Sequence, residues 1–485
     1  MKKYKYITTT LPYINSKPHI GHALEFIQAD ALARWFRQTE HDVYFNVGVD
    51  EHGSKVYNES VKLNRDVREY CDEQANLWME FCGRFAIDYS NFYRTSSPHH
   101  YKQVQAFWKE CVDRGDIYKG TYKGLYCVGC ESRKLDKDLI NGKCPDHGVA
   151  PEMVDEVNWF FKLTNYKEAL RKWLTTDDKF LLPQSKTTEL LNLIDEAEDI
   201  SISRDKKIVP WGVPVPDDDT QTIYVWFEAL LNYIMSVNPH YPGVSFSESQ
   251  LFEKYWGDSI QLCGPDNIRF QGCIFQAFLE SAGLPHTTRL LVHGTVTGDD
   301  GTKMSKTKGN VVDPIDQIEK FGLDAVRYYA LGGLSTFYNS AWVEKDLIAT
   351  CNNDIADNYG NLLYRTMHLR MTKGFPIGSA SDAFKEMVFE RTAKARAHWD
   401  ALNISAAIKE VQEMLVFGNK YMNDREPWKN PDTAEDTLNN LYALLMSATF
   451  LLYPVIPDVC SKAQDALEAN EKVILFQKII VEYGK

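Results

Sequence analysis

The chain has little that would carry it into a membrane or through a secretory route. No stretch of its 485 residues approaches the roughly 20 apolar positions of a spanning helix. The opening "MKKYKYITTTLPY" lacks the apolar run and small-residue cleavage site of a secretory leader. Cysteines number only 10, and apart from Cys127, Cys130 and Cys144 they are scattered, which argues against a disulfide framework and suits a reducing compartment with one metal site. Basic residues are outnumbered, 54 Lys and Arg against 67 Asp and Glu for a net charge of −13, which argues against a generalised nucleic-acid coat while allowing local basic surfaces. Repeats and low-complexity tracts are missing too. What is left is a cytoplasmic globular chain of about two to four domains that has no business with a membrane.

What is present is a β-α-β opening. "YKYITTT" is β-rich, "HIGHALEFIQADALARWFRQT" has helical apolar spacing, and "DVYFNVGVD" is a second apolar run ending on an acid. Such a unit builds a parallel sheet, which binds ligands at the carboxyl ends of its strands. From residue 116 to 209 the texture changes to a Cys-containing knuckle followed by short amphipathic helices. The β/α pattern then returns in "TIYVWFEALLNYIM", "SIQLCGPDNIRFQGCIFQAFLESAG" and "TRLLVHGTVT". The expected fold is therefore α/β: a Rossmann-like parallel-sheet domain in two halves, residues 1–115 and 210–297, split by a zinc-knuckle insertion at 116–209. Residues 298–345 hold a basic loop and a connecting region, and residues 346–485 read as an all-α C-terminal bundle.

Three patterns carry chemistry. His19 and His22 stand three apart on one helix face, behind Pro18 and around Gly21, near a positive helix N-terminus that attracts phosphate. There they can donate hydrogen bonds to oxygens that gain charge as a phosphoryl or nucleotidyl group transfers, or they are simply two histidines flanking a glycine. "KMSKTKGN" at 303–310 places Lys303, Lys306 and Lys308 on a short polar loop, suited either to clamping a polyphosphate or to plain solvation. "CVGC" and "CPDH" offer Cys127, Cys130, Cys144 and His147 as two close pairs, the spacing of a closed tetrahedral zinc site with a structural role.

"HIGH" near the N-terminus together with "KMSK" after the last sheet strand resembles the class I aminoacyl-tRNA synthetases. "TLPYINSKPHIGHALEFIQAD", "GVDEHG", "YVWFEALLNY" and "GNLLYR" are similar to the methionyl-tRNA synthetases among them, over essentially the whole chain. The resemblance implies ATP-dependent formation of methionyl-adenylate with Mg²⁺, then transfer of methionine to the terminal adenosine of tRNA(Met), the initiator included. It implies that His19, His22, Lys303 and Lys306 stabilise the pyrophosphate leaving group. Leu11, Tyr13, Trp226, Ala229, Leu230 and Tyr233 would line the methionine side chain and Asp50 would hold its ammonium group, although an aromatic pair such as Trp226 and Tyr233 is also what a core contains. Aromatic walls suit an apolar, polarizable thioether.

Gln271 stands where the family commonly has a histidine, and it keeps the capacity to donate and accept hydrogen bonds. Asp266 would hold the ribose of ATP with Gly264 allowing close approach, Val296 would offer its backbone to adenine, and Gly21 would leave space at the phosphates. The second signature reads KMSKT, with a hydroxyl retained at Thr307. Asn361, Arg365 and Trp428 match anticodon-reading positions, with stacking and edge contacts the expected means of reading unstacked bases. Arg370, Lys373, Arg391, Lys394 and Arg396 are candidate phosphate contacts or solvated helix surface.

A short insertion argues against the leucine, isoleucine and valine enzymes, which carry a large editing domain at that point. Cys263 and Cys273 lack the paired ligands that a zinc-dependent cysteine enzyme would show. A nucleotidyltransferase would have no reason for the helical tail, and a tRNA-binding scaffold no use for the phosphate clamp. With no appended OB-type domain of the kind that dimerises some relatives, a monomer is expected.

Overall fold

Six parallel strands form the central sheet, in the spatial order Asn91–Arg94, His41–Val49, Lys3–Thr8, Ser259–Cys263, Arg289–Val292, Leu181–Leu182. The computed structural model describes residues 3–127, 132–134, 136–145, 148–299, 301–302, 304 and 311–480. From Lys3–Thr8 the chain builds outward to one side through His41–Val49 and Asn91–Arg94, then returns to lay Ser259–Cys263 against the first strand's other edge. The strand order therefore reverses between Lys3–Thr8 and Ser259–Cys263. Their carboxyl ends open the crevice where α/β sheets bind ligands.

The helix Ile20–Gln38, α1, crosses from the first strand to the second. Burial runs almost all round it, and that includes three polar residues on otherwise apolar faces, Glu25, Gln28 and Asp30. A buried polar group is costly without a partner; Gln28 Oε1 has none among the described residues, whereas the two carboxylates are both held. Asp30 finds Arg327, itself fully buried, at 2.6 Å. The same guanidinium donates to the carbonyls of Val455, Phe85 and Pro454 at 2.9, 3.0 and 3.0 Å, so four of its five N–H donors are used. At the far end of α1, Trp35 stacks on Trp399 with ring centroids 5.4 Å apart and donates its indole N–H to Asp400 at 2.9 Å.

Within the segment read as an insertion lies a separate four-stranded antiparallel sheet in the order Ser132–Lys134, Ile117–Cys127, Glu152–Phe161, Ile200–Ser201. Its span differs from the reading of residues 116–209. Leu181 and Leu182 leave it to pair in parallel with Leu290 and Leu291 at the edge of the main sheet, so two short strands belong to different sheets within one segment. A two-residue strand carries too little pattern to be recognised before its partner is known.

From Glu344 onward the described chain is helical: Glu344–Cys351, a π-helical run Asn352–Gly360, Asn361–Lys373, Asp382–Asp400, Ile404–Arg425, Pro431–Leu452 and Pro457–Ala469. This part shares one continuous apolar core with α1 and with the strand His41–Val49. A second core lies between the opposite face of the sheet and the insertion, and takes in Phe107, Trp108, Phe227, Trp256 and Phe278. Among the described residues, no helix is long and apolar enough to cross a membrane.

Candidate functional site

His19 and His22 open α1 at the crevice, in the segment that follows the first strand. His19 is the N-cap, and its Nδ1 accepts the backbone N–H of Gly21 at 3.1 Å and of His22 at 3.3 Å. His22 answers by accepting the N–H of His19 at its own Nδ1, 3.2 Å away. This is a capping box built from two imidazoles, which satisfies donors that a helix start otherwise leaves open. The rings stack with centroids 3.6 Å apart, and His22 lies edge-on to Trp78. Because each Nδ1 is an acceptor, each proton of a neutral ring sits on Nε2, a tautomer assigned from the bonds. Burial, then the neighbouring His19 and His293, push His22 well below the ordinary histidine value, so it stays neutral. Gly21 leaves room for the His19 ring, since a Cβ there would lie a tight 3.1 Å from both Cε1 and Nδ1 and press the ring aside by a few tenths of an ångström.

A buried clip ties the two sides of the crevice together, and the sequence reading missed it. Glu25 accepts both the N–H and the hydroxyl of Thr10 at 2.6 Å through Oε1, and faces Nε2 of His293 at 3.0 Å through Oε2. His293 donates its other ring N–H to the carbonyl of Gly294 at 2.8 Å. Burial alone would lower His293, but the Glu25 carboxylate raises it above the ordinary value. The available signal was a carboxylate on the apolar face of α1.

Some of the residues expected to line an aromatic pocket are in contact with one another. Tyr13 bridges to Asp50 at the end of the strand His41–Val49, with Ile14 N–H donating to the Asp50 carbonyl at 3.2 Å and Asp50 N–H to that of Pro12 at 2.9 Å. Trp226 meets Tyr13 edge-to-face at 6.2 Å. Phe270, which the sequence reading did not single out, stacks flat on Trp226 at 3.6 Å. Trp226, Ala229, Leu230 and Tyr233 follow one another along the helical turns between Val225 and Met235. Gln271 lies in a π-helical run, Phe270–Ile274, and donates to the Tyr233 hydroxyl at 2.9 Å. Its Oε1 and the indole N–H of Trp226 have no partner among the described residues. Leu11 and Tyr13 are half-buried and Asp50 is buried.

The remaining positions are reached less completely. Gly264 and Asp266 follow the strand Ser259–Cys263, with Asp266 exposed in a short turn. A Cβ at Gly264 would meet only His293 at an ordinary 3.6 Å, so nothing described requires glycine there. Val296 is buried and pairs with Ser340. Lys303, Lys306, Thr307 and Lys308 lie outside the described residues. The chain that resumes after them is bonded to α1, with Ile20 N–H donating to the Val312 carbonyl at 3.3 Å. Cys130 and His147 are likewise outside the described residues. Cys127 and Cys144 are both buried, Cys127 at a strand end and Cys144 in a turn closed by Gly148 N–H onto its carbonyl at 2.7 Å.

In the helical part, Arg365 stacks over Trp428 at 5.4 Å and donates to the Asn423 side chain at 3.0 Å. Asn361, exposed one turn earlier, borders a groove of about 240 Å³ lined also by Tyr364, Leu475 and Phe476. Arg370 is a correction. Offered as a phosphate contact, it is fully buried, bonded to Asn439 at 2.7 Å, to Asn470 at 3.3 Å and to the carbonyl of Pro376. Lys373, Lys394 and Arg396 are exposed, and Arg391 is half-buried against Phe417.

Comparison with known proteins follows this geometry. The family described as "tRNA synthetases class I (M)" matches residues 5–150 and 130–367, and "Anticodon binding domain of methionyl tRNA ligase" matches residues 371–478. The chain is 34% identical over 484 residues to the methionine–tRNA ligase of Thermotoga maritima, covering 96% of this chain and 76% of that protein. With the methionine–tRNA ligase of Nostoc sp. it shares 34% identity over 477 residues, 95% of this chain and 89% of the relative. Its fold superposes on Mycobacterium tuberculosis methionyl-tRNA synthetase in complex with methionyl-adenylate with a TM-score of 0.88 at 29% identity, covering 96% of this chain and 93% of the other. The apo form of that enzyme gives a TM-score of 0.82 at 27% identity, covering 96% and 92%.

Proposed function

The chain belongs to the methionine–tRNA ligases, class I synthetases that activate methionine with ATP and charge tRNA with it, and from that premise we propose how its own residues divide the work. Methionine lies at the carboxyl ends of the strands with its thioether among Leu11, Tyr13, Trp226, Ala229, Leu230 and Tyr233. The stack of Phe270 on Trp226 supports this by presenting a flat apolar wall. Asp50, buried beside Tyr13, takes the ammonium group. Gln271 closes the pocket beside the Tyr233 hydroxyl, with an amide group still able to bond a ligand.

ATP lies across the reversal point, its phosphates at the start of α1, its ribose against Asp266 beside Gly264, and its adenine against the backbone of Val296. The methionine carboxylate attacks the α-phosphorus, a new O–P bond forms, and the bond to the bridging oxygen breaks to release pyrophosphate. His19 and His22 donate Nε2–H bonds to the oxygens that gain charge, which places their contribution in the transition state. Lys303 and Lys306 add positive charge to the same group; in support, Val312, six residues after Lys306 in sequence, is bonded to Ile20 at the start of α1. In the second step a hydroxyl of the terminal tRNA adenosine attacks the acyl carbonyl and AMP leaves.

Among the described residues no cluster of three His, Cys, Asp or Glu could hold a metal ion. Mg²⁺ bound to the ATP phosphates would supply charge neutralisation there. For zinc, Cys127 at a strand end and Cys144 in a turn are both buried thiols of the right ligand type, and Cys127, Cys130, Cys144 and His147 would hold one ion that pins the insertion. Asn361, Arg365 and Trp428 read the anticodon of tRNA(Met). Buried thiols at Cys71, Cys82, Cys111 and Cys351 agree with a cytoplasmic setting.

The observation that carries the assignment is the mutual capping of two imidazoles at the crevice. ATP–pyrophosphate exchange with methionine, cysteine, leucine, isoleucine and valine tests it, in the wild type and in His19→Ala. Exchange with methionine alone, reduced in the variant at unchanged methionine affinity, is the expected result; exchange with a different amino acid would overturn the pocket.

A further inference from the structure

Of the segment Asp50-Glu51-His52, only Asp50 has so far been given work. Glu51 is held by Arg94, by the N–H of Ser96 at 3.0 Å and, through its own N–H, by the Thr95 hydroxyl at 2.9 Å. His52 is held by Glu228. That carboxylate is completely buried, and its two oxygens serve two imidazoles, Nδ1 of His52 at 2.9 Å and Nε2 of His100 at 2.5 Å. The outer nitrogens of the rings continue the chain, His52 to the Tyr101 hydroxyl at 2.9 Å and His100 to that of Tyr93 at 2.8 Å. Burial alone would raise the Glu228 carboxyl, but the two imidazoles hold it below the ordinary range. A buried charge of this kind is costly unless each oxygen is matched, and here both are.

Its place in the chain gives the cluster a use. Glu228 stands two residues after Trp226 and directly before Ala229, while His52 stands two residues after Asp50. The two walls of the amino-acid pocket, far apart in sequence, are thus joined by one carboxylate behind them. We propose that Glu228 is a positioning residue for methionine, fixing through His52 the separation between Asp50 and the aromatic wall that begins at Trp226. It touches no substrate and acts only through Asp50 and Trp226. The inference rests on the pocket reading above.

Glu228→Gln keeps the shape but cannot accept from both rings. In ATP–pyrophosphate exchange its methionine KM is expected to rise about tenfold, while KM for ATP and kcat stay within about twofold. A destabilised core would not produce that split. In combination with Asp50→Asn the two effects on KM should fall short of multiplying, because both act on one contact. An unchanged methionine KM in the single variant, or effects that multiply fully, overturns the proposal. Should Glu228→Gln fail to fold, Tyr101→Phe, which deletes only the hydroxyl behind His52, is expected to raise methionine KM about two- to threefold, and an unchanged KM there counts as refutation. Asp50→Asn alone separates the two ideas: if it leaves methionine KM untouched, the pocket reading falls and takes this proposal with it.

Discussion

His19 and His22 each accept the other's backbone N–H, so neither ring can turn without opening the first turn of α1. Gly21 protects that arrangement, because a Cβ would press on the His19 ring at 3.1 Å. Gly21→Ala is therefore expected to lower kcat for exchange by about tenfold with little change in methionine affinity, since the donors act mainly on the transition state. Pre-steady-state formation of the adenylate measures this directly. His22 also sets a limit on pH dependence: its value lies well below the ordinary 6.5, so the ring is already neutral there and its protonation contributes no acid limb between pH 6.5 and 8. A limb in that window that disappears in His22→Asn would contradict the neutral assignment.

The Glu25–His293 pair makes a different pH prediction. A histidine raised above its unfolded value of 6.5 binds its proton more tightly when folded. Its contribution to stability is complete below that value and is lost as pH rises through the raised folded value. The gap in melting temperature between wild type and His293→Gln should accordingly be wider at pH 6 than at pH 9. Calorimetric scans at the two pH values decide it, and a gap that widens with pH would show that folding lowers the His293 value instead of raising it.

Trp428 is about two-fifths exposed although it is a large apolar side chain, with Arg365 over its ring. Base stacking is worth about 1–3 kcal/mol per base, so Trp428→Ala should reduce kcat/KM for tRNA charging by roughly 5- to 150-fold. Exchange, which needs no tRNA, should be unchanged. Equal losses in both assays would move Trp428 from RNA reading to structure.

Zinc removal should act on the insertion and spare the crevice. One zinc per chain by elemental analysis is expected, falling to none in Cys144→Ser, with the loss of stability confined to the antiparallel sheet around Ile117–Cys127 and Glu152–Phe161 in hydrogen exchange. Wild-type protein free of zinc as purified, yet fully protected in that sheet, would refute the assignment.

The elements that could be recognised beforehand are those written in local pattern. The β-α-β opening, the helical run after Glu344 and the two-histidine helix start all follow from residues a few positions apart. What escaped depends on partners far along the chain. Arg370 looks like a surface cation until Asn439, Pro376 and Asn470 gather round it. Glu25 and Glu228 look like solvated acids until imidazoles at His293, His52 and His100 arrive. The π-helical runs at Phe270–Ile274 and Asn352–Gly360 shift side-chain register by a rule that apolar periodicity does not encode. Phe270 was hidden in this way beside a residue that had been noticed.

Helix α1 begins at the phosphate end of the crevice and finishes with Trp35 against Trp399 of the helical bundle. Nineteen residues make a rod about 28 Å long, packed on nearly every side and pinned midway by Asp30 to Arg327. Such a rod behaves as a lever with a fixed arm. A tilt of about 5° about that pin would carry the two imidazoles by about 1 Å, enough to lengthen a hydrogen bond beyond its working range. The helical bundle and the two-histidine helix start are thus opposite ends of one rigid element, so a displacement at Trp399 is carried along α1 toward His19 and His22.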